Sequence, residues 1–260
     1  MGPSSDIPAL RRGLAILRLM AGRAGPVSAS TIARELDLPR STTYHLLAEL
    51  EQTRFVTRLP AERRYGLGIA AFELGSAYLR HDPLERLARP LLRELVERVG
   101  HNAHLGVLHG NELLYLIKER PARPETLVTD VGVRLPAHLT ASGRAILAHL
   151  PATHVRALFP NAAAFVRRTD RGPASLARLR TVLAEERRRG WASEDGHVTV
   201  GFASVAYAVF DYDHRPIAAI SVTLRHHCTR QPCDADWSVL ATQVHRTADD
   251  LTRRIGGRVE

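Results

Sequence analysis

Cysteine is nearly absent from this chain. Cys228 and Cys233 are the only two among 260 residues, too few for a disulfide scaffold and in keeping with a reducing, cytoplasmic compartment. Lysine is rarer still: Lys118 is the single lysine among 36 basic residues, so the basic side of the composition is arginine. No run of about eighteen apolar residues occurs, which excludes a membrane-spanning helix. The apolar stretch near the start carries Arg11, Arg12 and Arg18 and reads at helical period, unlike the core of a signal peptide. Common catalytic fingerprints are missing too. There is no Gly-x-Ser-x-Gly, no P-loop and no dinucleotide-binding glycine pattern, so catalysis is the minority reading and no cofactor is expected.

What is present describes a globular chain, with 45% hydrophobic and 24% charged residues over a length that suits one large domain or two ordinary ones. The formal charge of +9 and sequence pI of about 10.4 draw the chain toward polyanions. Residues 1–80 carry +4 of that charge and residues 81–260 the remaining +5, so the first segment is about twice as basic per residue. Near Tyr78-Leu79-Arg80-His81-Asp82-Pro83 one helical pattern ends and Asp82 with Pro83 opens another, which puts a domain boundary within or just after 68–83.

Leu10, Leu14, Leu17 with Ile16 and Met20 predict an amphipathic first helix ending before Gly22. Ser28 is a candidate N-cap for a short helix through Leu36. Asp37-Leu38-Pro39 breaks that helix, and Arg40 to Leu50 forms the next, its inner face made of Leu46, Leu47 and Leu50 with Thr43. Two short helices joined by a tight turn are a helix-turn-helix pattern. Ser30, Arg40, Ser41, Thr42, Tyr44 and His45 crowd the surfaces such a motif turns toward DNA, where hydroxyls and guanidinium groups bond phosphates and base edges. Residues 55–58 and 64–67 read as two strands about a turn at 59–63, the wing of a winged helix. Arg58, Arg63 and Arg64 on the wing, with Arg54 before it, are candidate phosphate contacts.

Further along, Leu84–Val99 is helical by period, and Ala103–Leu108 and Glu112–Lys118 read as strands about His109-Gly110-Asn111. Ser142–Leu150 and Leu176–Arg189 read as helices, the second stopped by Gly190. Ser204–Tyr212 and Pro216–Leu224 form a hairpin, and Asp234–Ile255 a closing helix. His226-His227-Cys228 with Cys233 has metal-binding residue types but no familiar zinc spacing, and His101, His104 and His109 read as ordinary histidines, so no metal is expected.

Arg12 through Leu17, Ile32 through Thr42 and Leu135 through Ala148 carry a likeness that runs from about residue 8 to 255: the chain resembles the IclR family of bacterial transcription regulators. In the first domain the likeness rests on Arg12-Gly13-Leu14-Ala15-Ile16-Leu17, on Ile32 through Thr42, and on Arg64-Tyr65-Gly66-Leu67-Gly68. In the second it rests on Leu135 through Ala148, on Gly190-Trp191-Ala192-Ser193-Glu194, on Val205 through Asp211 and on Ile217 through Thr223. The resemblance implies an α+β chain: a winged helix-turn-helix DNA-binding domain at 1–67, a linking helix at 68–80, and a GAF-like α/β domain at 81–260 for effector binding and oligomerisation. It also implies a palindromic duplex operator, a homodimer or dimer of dimers, and a small effector, an organic acid, without a membrane partner.

Carried over position by position, the resemblance nominates Leu127, Ala141, Ser142, Glu194, Ser204, Ser221 and Thr223 as effector-binding residues. Ser221 and Thr223 alternate on one strand face, so both hydroxyls can share a cavity, and Ala141 and Ser142 offer helix-start N–H groups to a carboxylate. Ser204 stands where many relatives have cysteine and Glu194 where many have aspartate. Two departures stand out in this stretch. Gly196-His197 occupies a place where the family often has two acids, and Ala208 replaces a frequent proline. His45 stands where arginine is common, which alters base readout. The competing readings are a nonspecific nucleoid-associated DNA binder and a small-molecule sensor that acts through a protein partner.

Overall fold

The computed structural model describes residues 7–23, 25–81, 83–122, 129–226 and 237–259, with backbone alone at 76–81 and 83. It divides into two compact units, Met1–Asp82 and Pro83–Glu260. No helix among the described residues is long and apolar enough to cross a membrane.

The first unit runs α1 (Pro8–Ala21), α2 (Ala29–Glu35), α3 (Arg40–Gln52), β1 (Val56–Leu59), β2 (Arg64–Leu67) and α4 (Ile69–His81). Its core joins Ile16 and Met20 of α1, Ile32 of α2 and Leu47 of α3 to Val56 and Tyr65 of the strands. Ser28 caps α2, its hydroxyl accepting from the Thr31 N–H at 3.2 Å. Thr43 lies fully buried on the inner face of α3, its hydroxyl donating to the Pro39 carbonyl at 3.1 Å, whereas Leu46 and Leu50 are half-buried. β1 and β2 are antiparallel, with Thr57 opposite Gly66 and Arg58 opposite Tyr65. Val27 adds a third short bridge to Tyr65. No strand periodicity announces it, because a single residue has none.

In the second unit six antiparallel strands lie in the order β5-β4-β3-β8-β7-β6. They are β3 (Asn102–His109), β4 (Glu112–Glu119), β5 (Arg134–Pro136), β6 (Ala192–Asp195), β7 (Phe202–Phe210) and β8 (Pro216–Arg225). One face is covered by α5 (Pro83–Val99) and α9 (Ser238–Arg254), where Leu92, Leu95, Val244 and Leu251 pack on Leu105, Ile220 and Val222. Across the other face lies α6 (Ala141–Leu147), whose Ala141, Ala145 and Ile146 meet Leu113, Tyr115, Ala206 and Ala219. Outside α6 pack α7 (Ala152–Leu158) and α8 (Leu176–Arg189), with Phe159, Phe165 and Leu179 closing a separate cluster.

Several elements differ from the sequence expectation. The helix expected over 142–150 spans Ala141–Leu147 and gives way to turns before Pro151, in line with the restriction on a residue that precedes proline. α7, β5 and β6 are too short to carry a readable period. The expected start of the closing helix at Asp234, and the capping role of Asp82, lie outside the described residues.

α6 sits close to the segment before it because of one glycine. A Cβ at Gly143 would stand 2.3 Å from the Ala137 carbonyl oxygen, so the helix and the 136–139 segment approach more closely than any side chain permits. The N-cap Thr140 fixes the same turn, its hydroxyl accepting from the Gly143 N–H at 3.0 Å. Gly143→Ala should therefore lower stability by about 3 kcal/mol or more, read as a reduced urea midpoint.

Candidate functional site

Two places in the chain collect the residues singled out above. In the first unit, Ser30, Tyr44, Arg58, Arg63 and Arg64 line one open cleft of about 470 Å³ between the start of α2, α3 and the wing. Arg40, Ser41, Thr42 and His45 lie along the exposed N-terminal half of α3, Thr42 half-buried, and do not line that cleft; neither does Arg54. Among the described residues no ion pair engages Arg40, Arg54, Arg58, Arg63 or Arg64. Arg23, by contrast, is held by Glu35. Free guanidinium groups on one surface are what a phosphate backbone requires.

Local geometry sets this surface. Arg54 and Arg63 both take the left-handed region, at φ 61° and 52°, to end α3 and to turn the wing. A Cβ at Gly68 would lie 2.2 Å from the Arg54 carbonyl oxygen, and that carbonyl accepts from the Ala70 N–H at 3.0 Å. The glycine thus fastens the end of the wing to the end of α3.

The second place is a cavity of about 30 Å³ on the α6 side of the large sheet. Glu194, Ser204 and Thr223, all nominated from sequence, line it together with Tyr115, Thr129, Leu135, Thr140, Val198, Thr199 and Phe202. Strand register accounts for the convergence: Ser204 faces Glu194 on one side and Thr223 on the other. The Ser204 hydroxyl donates to Glu194 Oε1 at 2.9 Å and lies 3.0 Å from Thr223 Oγ1, while the His197 N–H donates to Glu194 Oε2 at 2.9 Å. Ala141, Ser142 and Ser221 are buried nearby and do not line the cavity. Leu127 lies outside the described residues, as do His227, Cys228 and Cys233.

Sequence reasoning missed Tyr115, Thr129 and Thr140. Tyr115 shares the α6 side of β4 with Leu113 by ordinary alternation, so its face was readable, whereas the residues of other strands and loops that it meets there were not. Thr140 had a readable signal, since a threonine three residues before Gly143 at a helix start is an N-cap.

Burial governs the electrostatics of this cavity. It pushes the Glu194 carboxyl up to about 7, with the hydrogen bonds from Ser204 and the His197 N–H pulling the other way. Burial, then the charge of Glu194, raise the Tyr115 phenol above its usual range. His197 falls to about 3, through burial first and then the positive charges of Arg144 and Arg171. Arg144 itself is wholly buried. Its Nε donates to both oxygens of Glu186 at 3.0 and 3.1 Å, its Nη1 to the carbonyls of His138 and Leu139 at 3.1 and 3.3 Å, and its Nη2 to the Ser193 carbonyl. Nη1 also lies 3.2 Å from His197 Nδ1, which accepts as a neutral ring.

A winged helix with free arginines, joined in one chain to an α/β unit that encloses a polar cavity, defines a class: a DNA-binding regulator with a sensor domain. The comparisons identify the family. The model of the IclR helix-turn-helix domain matches residues 9–60, and that of the bacterial transcriptional regulator IclR C-terminal domain matches residues 76–253. The chain belongs to the IclR family of bacterial transcription regulators. It is 34% identical over 220 residues to the glycerol operon regulatory protein of Streptomyces coelicolor, covering 84% of this chain and 85% of that one. With the acetate operon repressor of Salmonella typhimurium it shares 28% over 258 residues, 98% of this chain and 92% of the relative. The fold matches the IclR transcriptional regulator from Alicyclobacillus acidocaldarius at a TM-score of 0.83 and 21% identity, over 96% of this chain and 100% of that one.

The Glu194 shift has a testable sign. A carboxyl whose folded-state pKa is raised holds its proton more tightly when folded, so its stabilising effect is present below the usual carboxylate value and is lost as pH climbs through about 7. Glu194→Gln removes that loss. The variant should match the native chain near pH 4.5 and exceed it above pH 7 by up to roughly 3 kcal/mol, measured as urea midpoints across pH.

Proposed function

We propose that this chain is a cytoplasmic transcription regulator, not an enzyme, that binds a palindromic duplex operator as a homodimer or dimer of dimers and releases or engages it in response to a small organic acid. In this reading residues 1–67 contact DNA, 68–80 link, and 81–260 hold the effector and mediate oligomerisation. The observation that carries it is the set of unpaired arginines shared by α3 and the wing of one unit. Arg40, Ser41, Thr42, Tyr44 and His45 approach base edges and phosphates from α3, while Ser30, Arg54, Arg58, Arg63 and Arg64 hold the backbone alongside.

Exposed apolar side chains support the oligomer. Leu10 and Leu14 on α1 are 58% and 49% exposed, and Ile69 and Phe72 on α4 are 52% and 70% exposed. Large apolar side chains left in water on a DNA-reading unit fit a contact with a second copy, and two-fold symmetry then matches a palindrome. For the effector, Glu194, Ser204 and Thr223 line the cavity, with Ser221 beside them on β8 and Leu127 in the same domain. First-turn N–H groups of Ala141 and Ser142, which no helical carbonyl reaches, are the groups of this reading that meet a carboxylate. Effector binding controls DNA affinity only through unequal affinity for the DNA-competent and incompetent states.

Titration of the full chain on its own upstream DNA tests the reading. Arg40→Ala should weaken specific binding by about 1–3 kcal/mol if it reads a base, and Arg63→Ala should weaken all duplexes alike and reduce the salt slope by about 1. Equal affinity for random duplex would instead favour the nonspecific binder, and absence of salt-dependent duplex binding the sensor that acts through a protein. Phe72→Glu should convert the oligomer to monomer in sedimentation and abolish operator binding; an unchanged oligomer removes α4 from the interface.

A further inference from the structure

Behind the cavity lies a second layer of polar side chains with unmet hydrogen-bonding capacity. Asn102 Oδ1, His104 Nδ1 and Ser142 Oγ are buried and have no hydrogen-bond partner among the described residues, and their residues are 1%, 0% and 1% exposed. Each adjoins a residue of the lining. Asn102 on β3 is directly opposite the cavity-lining Thr223 of β8. His104 Nε2 is 3.0 Å from Thr129 Oγ1, and its ring centroid is 5.1 Å from that of Tyr115, both of which line the cavity. Ser142 Oγ lies near enough to the Tyr115 phenol to pull its pKa down, yet makes no hydrogen bond of ordinary geometry. Leaving three such groups unmatched in the interior carries a desolvation cost that a correctly shaped ligand group relieves.

We propose that the effector cavity continues inward, past Thr129 and Tyr115, into a sub-pocket formed by Asn102, His104 and Ser142 that takes the hydroxyl groups of a polyhydroxylated metabolite. This rests on the reading of the cavity as the effector site and names the chemistry it selects. The donor and acceptor demands identify a hydroxyl. Asn102 Oδ1 only accepts, so it turns away a carboxylate or carbonyl oxygen. His104 Nδ1 is a donor if Nε2 accepts from Thr129 and an acceptor if Nε2 donates, and Ser142 can do either. A hydroxyl satisfies all three, whichever tautomer is present. Charge in the cavity points the same way: no arginine or lysine side chain is among its lining residues, and Glu194 is the carboxylate among them. Recognition in the inner layer proceeds through hydrogen bonds to hydroxyls, and the carboxylate of the acid is left to the Ala141 and Ser142 N–H groups. The cavity of about 30 Å³ has room for little more than a water or two, so a ligand enters only with movement of the side chains that line it, Thr129 and Tyr115 among them.

The test uses propanoate, lactate and glycerate, which share one three-carbon carboxylate and carry zero, one and two hydroxyls. Binding to the full chain is read by calorimetry and by the rise in Tm. Affinity should climb along the series, glycerate exceeding propanoate by at least about tenfold. Ser142→Ala should leave the Tm of the free protein unchanged or higher and remove most of that preference, and Asn102→Ala should remove it independently. Equal affinity for the three acids, or an undiminished preference in both variants, overturns the sub-pocket. Absence of binding by all three at 10 mM overturns it as well. The broader reading fails separately: if Thr223→Val leaves acid binding untouched, the cavity itself is not the effector site, whereas equal acid affinities that Thr223→Val weakens keep the cavity and remove only its inner layer.

Discussion

The buried guanidinium of Arg144 is the interaction on which the sensor unit depends. It sits on α6 and reaches in one fan to Glu186 on α8, to the carbonyls of His138 and Leu139 before α6, to Ser193 on β6, and to His197 after it. Four segments, five to fifty-three residues away, are thereby held at hydrogen-bond distance from one planar group. A charged pair at 0% and 4% exposure gives up its hydration on folding, and only near-complete satisfaction of its donors and acceptors offsets that loss. Here the second oxygen-side contact comes from the Ser193 N–H, which donates to Glu186 Oε1 at 3.1 Å. Burial still raises the Glu186 carboxyl, with Arg144 acting against it.

The cavity inherits its position from this fan. Ser193 is anchored by Arg144 and Glu186, so its neighbour Glu194 is presented on β6 toward Ser204 and Thr223. His197, neutral because burial and Arg144 both disfavour its proton, accepts from Arg144 at its ring while its own N–H donates to Glu194. This explains how Gly196-His197 serves where the family often shows two acids. His197 does not itself line the cavity, where Glu194 is the carboxylate; its ring meets Arg144 while its N–H holds Glu194. Gly143 and Thr140 complete the frame, so the segment through which the chain most resembles its family is scaffold first and ligand contact second.

The DNA-reading unit depends on packing in a plainer way. Ile16, Ile32 and Leu47 are fully buried, and they leave the polar side of α3 and the wing arginines facing water. The same economy holds at Gly68, where a close backbone approach joins wing and helix without a side chain between them. The charge of +9 separates accordingly. Its useful part lies on this unit, while the sensor unit spends several arginines, Arg144, Arg171 and Arg189 among them, on internal contacts.

Periodicity and punctuation in the sequence determined most elements: α1, α2, α3, α5, α8 and the strands β3, β4, β7 and β8 all announce themselves by spacing, by Ser28 as the cap of α2 or by Gly190 as the stop of α8. The same local rules placed the candidate arginines and the shared face of Ser221 and Thr223. What the sequence could not determine was which polar groups meet. That depended on the order in which six strands align, on the register that sets Ser204 between Glu194 and Thr223, and on a buried arginine whose partners lie five to fifty-three residues away. Local spacing encodes where a side chain points along its own element. Only tertiary packing decides what stands opposite, because long-range pairing is set by the sum of many burial contacts, and no short stretch of sequence contains it.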